Sequence, residues 1–283
     1  MPTLVCLAQC LSTKEPTPPH VIGLFAEMAR ERPRRRLTLG IHDDLSDTTV
    51  TYDRDLDIEP ASVKRAVFWG LGSDGTVGAA KNTIKIIGED AGLEAQGSFV
   101  YDSKKSGART VSHLRFGPDP IRSAYLIANA GFVGIHQFGF FERYDVLANV
   151  GHGATVLLNA PYDASEVWDH IPKDAQRILR ERNVALWTID AYALAKELEL
   201  GPRINTIMQA GYFMISDVLP KDEAMARIKE AIEKTYGARG EAIVRRNMAA
   251  VEAAPSRMQR VAIPEGALSG PVRPPTVAAN APT

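Results

Sequence analysis

The stretch "VFWGLGSDGTVGAAKNTIKIIG", residues 67–88, decides the fold. An apolar run, "VFW", reads as a buried strand, and Val77, Ala80, Ile84 and Ile87 fall on one face of a helix predicted over residues 76–88. Between them Gly70, Gly72 and Gly75 stand in G-x-G-x-x-G spacing, with Ser73, Asp74 and Thr76 completing the loop. A strand, glycines and then a helix aim backbone N–H groups and the positive helix end at one point, where an anion is stabilised. Three readings stay open at this level: a dinucleotide loop, a site for another phosphorylated ligand, or a strand–helix turn. A nicotinamide site needs an acidic residue at the end of the second strand, usually about 20 residues on. "GSFVYD" ends in Asp102, which lies later than that.

Outward from this loop, strands and helices alternate. "RAVFW", "GSFVYD", "RTVSHLRF", "GFVGIHQF", "GATVLLNAPY" and "VALWTID" read as strands. Helices are expected over 120–130, from Asp163 to about 182, over 203–217 and over 221–236. Asp163 and Glu166 have capping-box spacing for the second of these. This alternation predicts an α/β domain in three layers, α/β/α, over residues 61–254, with a Rossmann-like sheet. Upstream, Val21, Leu24, Phe25 and Met28 predict a helix from Pro18, and "RLTLGIHDD" predicts a strand. The run "RERPRRR", residues 30–36, reads as a solvated helix end. From Pro255 onward, six prolines in 29 residues predict a disordered tail over 255–283.

Composition narrows the chemistry. A chain of 283 residues with a formal net charge of −1 has no overall basic field for nucleic acid or a membrane surface. Two cysteines, Cys6 and Cys10, exclude a disulfide scaffold and a four-thiolate iron–sulfur cluster held by this chain alone. The apolar "MPTLVCLAQCL" lacks the basic flank of a signal peptide and is short for a membrane span, so the cytoplasm is the expected compartment. No H-E-x-x-H, clustered carboxylates or Ser/His/Asp arrangement stands out, so no catalytic residue and no metal ligand is assigned.

A second candidate is "YDSKKSGARTVSHLRFG", residues 101–117. Lys104, Lys105 and Ser106 lie in a short loop, and His113 and Arg115 share one face of the strand that follows. Such a group neutralises a phosphate-bearing ligand, or is plain solvated surface. His136 reads as a satisfied interior histidine.

These blocks, together with "LLNAPY", "RINTIMQAGYF" and "KTYGARGEAIVRRNMAAVE", resemble the gamma-type domain of pyruvate:ferredoxin (flavodoxin) oxidoreductase. The upstream "LSTKEPTPPHVIGLFAEMA" looks like the end of the domain that precedes it, which makes residues 1–60 a remnant of that domain. The resemblance implies oxidation of pyruvate with coenzyme A to acetyl-coenzyme A and carbon dioxide. It places thiamine diphosphate and iron–sulfur clusters on partner domains or subunits, and ferredoxin or flavodoxin beyond them. It further implies that this segment binds no cofactor alone and assists coenzyme A as a substrate. Gly70, Gly72, Ser73, Asp74, Gly75 and Thr76 would face an anion or a neighbouring domain, and Lys104, Lys105, Ser106, His113 and Arg115 would face phosphates. Ala108 stands where that family commonly has glycine. Two rivals follow from the residues themselves: a stand-alone NAD(P)-linked dehydrogenase, or a non-catalytic assembly module.

Overall fold

A computed structural model describes residues 6–9, 16–41, 45–53, 56–102 and 107–273. The chain divides into two compact units, Met1–Pro60 with Ser123–Tyr125, and Ala61–Arg122 with Leu126–Thr283.

In the first unit, strands β1 (Cys6–Gln9) and β2 (Arg36–Leu39) pair in parallel, joined by helix α1 (Pro18–Met28). Two prolines start α1, and the Thr17 N–H and hydroxyl both meet His20 Nδ1, at 3.0 and 2.9 Å. The other edge of β2 is taken by a short parallel bridge from Thr38 to Thr49. The buried apolar core of this unit, among the described residues, is Leu37, Leu39 and Val50, with Leu24 against it. Glu27 is buried on the inner side of α1 and bonds Arg34 Nε at 3.0 Å and Arg30 Nη1 at 3.1 Å. The Arg34 hydrogen bond holds its carboxyl below the usual range, against the opposing effect of burial. Two residues of the basic run 30–36 therefore brace a buried carboxylate. Glu27→Ala should cost about 1–2 kcal/mol, and with so small a core the first unit should open before the second. Limited proteolysis cutting first within residues 16–53 checks this; equal resistance of variant and parent refutes it.

The second unit is a seven-stranded mixed sheet in the order β4-β5-β3-β6-β7-β8-β9, with helices on both faces. Strands β3 (Lys64–Leu71), β6 (Ala130–Ile135), β7 (Val150–Asn159) and β8 (Ala185–Ile189) run parallel. Their continuous apolar runs are what a sheet covered on both sides requires. β5 (Arg109–Gly117) pairs antiparallel with β3 and with β4 (Glu94–Tyr101). One face packs on α2 (Thr76–Lys85), α6 (Ala191–Glu197), α7 (Asn205–Ile215), α8 (Lys221–Tyr236) and α9 (Glu241–Arg257). Phe68, Phe132 and Tyr212 interlock there, with ring centroids 4.8–5.7 Å apart. The other face packs on α3 (Phe140–Arg143), α4 (Val167–His170) and α5 (Lys173–Glu181).

Three expectations change. The helix expected over 120–130 is absent: 120–129 form no helix and Ala130 begins β6, as Pro120 disfavours helical backbone at Asp119 and Asn149 Nδ2 donates to the Ile127 carbonyl at 2.7 Å. The helix expected from Asp163 to about 182 is two helices, α4 and α5, since Ile171 before Pro172 is extended, with ψ 131°. The stretch 255–273 is not a disordered tail. α9 continues through Pro255, and β9 (Gln259–Arg260) pairs antiparallel with β8. Val261 is buried, Lys173 N–H donates to Pro271 O at 2.9 Å, and Arg273 Nε meets Asp174 at 2.9 Å. Residues 274–283 lie outside the described residues.

Candidate functional site

The loop after β3 leaves the sheet at the carboxyl ends of β3 and β6, where connections depart to opposite edges. Such switch points form the ligand crevices of open α/β sheets. The glycines have packing reasons. A Cβ on Gly70 would lie 2.3 Å from Thr76 Oγ1, so only glycine lets the first turn of α2 close on β3. Gly75 has φ +94°, and a Cβ there would lie 2.9 Å from Asn205 Cγ.

The anion position in this loop is filled from within. Asp74 Oδ2 accepts the Leu71 N–H at 2.8 Å and Oδ1 accepts the Thr76 N–H at 2.7 Å. A carboxylate thus sits at the positive end of α2, where it takes the first N–H of the helix and the last N–H of β3. A phosphate brought to the same backbone would meet that negative charge.

Behind the loop, Thr76 Oγ1 and His136 Nδ1 are 2.7 Å apart. His136 N–H donates to Trp69 O at 3.0 Å, and Asn159 Nδ2 donates to His136 O at 2.9 Å. Asn159 Oδ1 accepts the Ala191 N–H at 3.0 Å, so one network ties the ends of β3, β6 and β7 to the start of α6. His136 is interior, as its strand context suggests, but only half satisfied: Nδ1 meets Thr76 Oγ1 while Nε2 is buried without a hydrogen-bond partner among the described residues. Burial pushes its imidazole down to about 4, with the Asp74 carboxylate opposing. Asn159 and Asn205 were not singled out by sequence reasoning. A lone amide closing the apolar run "VLLN" was the available signal for the first.

The two candidate segments meet. Gly72 N–H donates to Ala108 O at 2.7 Å and Gly107 N–H donates to Gly72 O at 3.2 Å. Arg109, next along, lies over the Tyr144 ring at 4.9 Å and the Trp69 ring at 5.9 Å. Lys104, Lys105 and Ser106 lie outside the described residues. His113 and Arg115 belong elsewhere. Four and six residues along β5 from Arg109, they stand about 13 and 20 Å from this end of the strand. Both are buried, and Arg115 donates to Gln96 Oε1 at 3.2 Å. Burial, then the Arg115 cation, pushes His113 down to about 4, so it is uncharged at neutral pH. These two side chains face the sheet interior and its cover, not an open phosphate site.

The dinucleotide reading fails on topology. β4 stands two strands from β3, with the antiparallel β5 between, so Asp102 at its end is about 10 Å from β3, one strand spacing (about 5 Å) beyond where an adjacent parallel strand would present an acid.

A three-layer domain with a mixed sheet and a self-capped glycine loop is the class defined by this geometry. Residues 65–256 match the family model described as pyruvate ferredoxin/flavodoxin oxidoreductase, and the chain belongs to that family. The pyruvate-flavodoxin oxidoreductase of Rhodospirillum rubrum is 50% identical over 272 residues, which is 96% of this chain but 23% of that protein. The chain thus spans about a quarter of the length of such relatives. The fold matches a crystal structure of pyruvate oxidoreductase subunit PORC from Thermotoga maritima, with TM-score 0.56 and 15% identity over 70% of this chain and 98% of that one. It also matches the 2-oxoglutarate:ferredoxin oxidoreductase of Magnetococcus marinus, solved with 2-oxoglutarate, coenzyme A and succinyl-CoA bound, with TM-score 0.52 and 15% identity over 76% of this chain and 33% of that one. Among the described residues no helix is long and apolar enough to cross a membrane.

Proposed function

We propose that this chain is the gamma-type segment of a cytoplasmic pyruvate:ferredoxin (flavodoxin) oxidoreductase and helps to bind coenzyme A. The whole assembly would convert pyruvate and coenzyme A to acetyl-coenzyme A and carbon dioxide, passing two electrons to ferredoxin or flavodoxin. Thiamine diphosphate and iron–sulfur clusters would sit on the accompanying domains or subunits. Among the described residues no three His, Cys, Asp or Glu side chains converge as metal donors.

The observation that carries the coenzyme A role is the backbone exchange between Gly72 and residues 107–108. It fixes the stem of the basic segment at the mouth of the switch point, where Arg109 lies over the Tyr144 and Trp69 rings. Lys104 and Lys105 would then supply charge toward phosphates, while the Asp74-capped loop supplies a rigid base. Arg115 and His113 would support the sheet beneath, without touching the ligand.

In the assembled oxidoreductase, Lys104→Ala and Lys105→Ala should each raise KM for coenzyme A roughly tenfold, with kcat and KM for pyruvate nearly unchanged. Unaltered coenzyme A dependence in both variants would remove this role.

A further inference from the structure

Behind the glycine loop, where α2 and α7 cover the sheet, lies a small cavity. Phe68, Thr76, Thr83, His136, Gln209 and Tyr212 contribute to its lining, and about 10 Å³ of it is open to the centre of a water-sized sphere. The Phe68 and Tyr212 rings, 5.2 Å apart between centroids and steeply tilted, give it apolar walls. Its polar groups are unevenly satisfied. His136 Nδ1 meets Thr76 Oγ1 at 2.7 Å, while Nε2 is buried with no hydrogen-bond partner among the described residues. The residue is 2% exposed, so bulk solvent does not serve that nitrogen. An imidazole nitrogen is either an N–H donor or a lone-pair acceptor, and left alone in an interior it forfeits its hydration in both cases. On α7, Gln209 Nε2 donates to Thr83 Oγ1 at 3.0 Å and to Ala79 O at 3.3 Å. Those bonds fix the amide, whose oxygen carries two acceptor sites of its own.

We propose that this cavity is a binding site for one internal water molecule, held by His136 Nε2 and the Gln209 amide oxygen. The size suits it, since a buried water needs about 10–15 Å³ measured at its centre, together with two to four polar partners. The chemistry suits it as well. Water accepts from an Nε2–H or donates to a bare Nε2, so it satisfies His136 in either neutral tautomer. A larger ligand has no room. The bound water completes a chain from Thr76, in the first turn of α2, through His136 at the end of β6 to Gln209 on α7. The site belongs to the domain itself, whatever ligand the glycine loop faces.

The test uses the whole chain. A high-resolution crystal structure should show an isolated density peak about 2.7–3.2 Å from both His136 Nε2 and Gln209 Oε1. In solution, water-oxygen magnetic relaxation dispersion counts the waters that a protein holds for longer than nanoseconds. Ala80→Val adds two methyl groups to the cavity lining, and the dispersion amplitude should fall by roughly one water relative to the parent chain. No density at His136 Nε2 overturns the site, as does an imidazole turned so that Nε2 bonds a protein group. An undiminished dispersion amplitude in folded Ala80→Val overturns it too. If that variant does not fold, the density map of the parent chain decides alone.

Discussion

Between pH 6.5 and 4 the larger unit should lose about 6 kcal/mol of stability, roughly half from His113 and half from His136. Both imidazoles are buried and held near 4 in the folded chain, against about 6.5 when unfolded. In that window the unfolded chain binds two protons that the folded chain refuses. Stability is therefore whole above pH 6.5 and falls as pH drops toward 4, by about 3 kcal/mol for each group. That loss approaches the total stability of an ordinary domain, so acid unfolding should begin while exposed carboxylates are still ionised. Thermal melts across this range give the slope directly. His113→Gln and His136→Gln should each flatten it by about one proton, whatever they do to stability at pH 7. Parallel slopes in parent and variants would show that these histidines are not the groups being titrated.

The second large effect lies at Gly70. Alanine there should cost about 3 kcal/mol, because its methyl group would enter the space of the whole Thr76 side chain, with Oγ1, Cβ and Cγ2 at 2.3–2.7 Å. Thr76 has little freedom to retreat. Its hydroxyl is held by His136, and its N–H by Asp74. Relief requires either a shift of α2 from the sheet or loss of the threonine side chain. Gly70→Ala with Thr76→Ala should thus be less destabilised than the two single changes summed, by 1 kcal/mol or more, as expected for residues in contact. Chemical denaturation of the four proteins measures this coupling. Simple additivity would mean that the clash is absorbed elsewhere.

Much of the sheet was legible in advance because its central strands are unbroken apolar runs. "VFW", "GFVGI", "TVLLN" and "ALWTI" can only be buried on both sides, and the helices between them carry clear apolar faces. What stayed hidden depends on contacts distant in the chain. Nothing local says that β5 slips between β3 and β4, yet that insertion is what excludes the nicotinamide geometry. The alternation of His113 and Arg115 identified a shared strand face, but alternation cannot say whether a face is covered; Gln96 on the neighbouring strand turned out to be a partner of that arginine. Asp74, two residues before Thr76, carried a helix-capping signature in plain view. The glycines around it drew the reading toward an external anion. The proline-rich stretch after residue 255 misled for a related reason, since its order comes from hydrogen bonds to α5, β8 and Gln176 and not from its own propensity.

That last stretch also sets a timetable. The sheet has its earliest strand, β3, near the middle, and its far edge is closed by β9, made from residues 259–260. During synthesis β6, β7 and β8 can add outward one after another, each beside a neighbour already made. The outer edge of β8 has to wait for Val261, whose N–H reaches Leu186 O at 2.9 Å. Until Val261 has cleared the ribosomal exit, the nascent chain therefore carries an open strand edge beside β8, and a chaperone that shields such edges would be needed longest at that point.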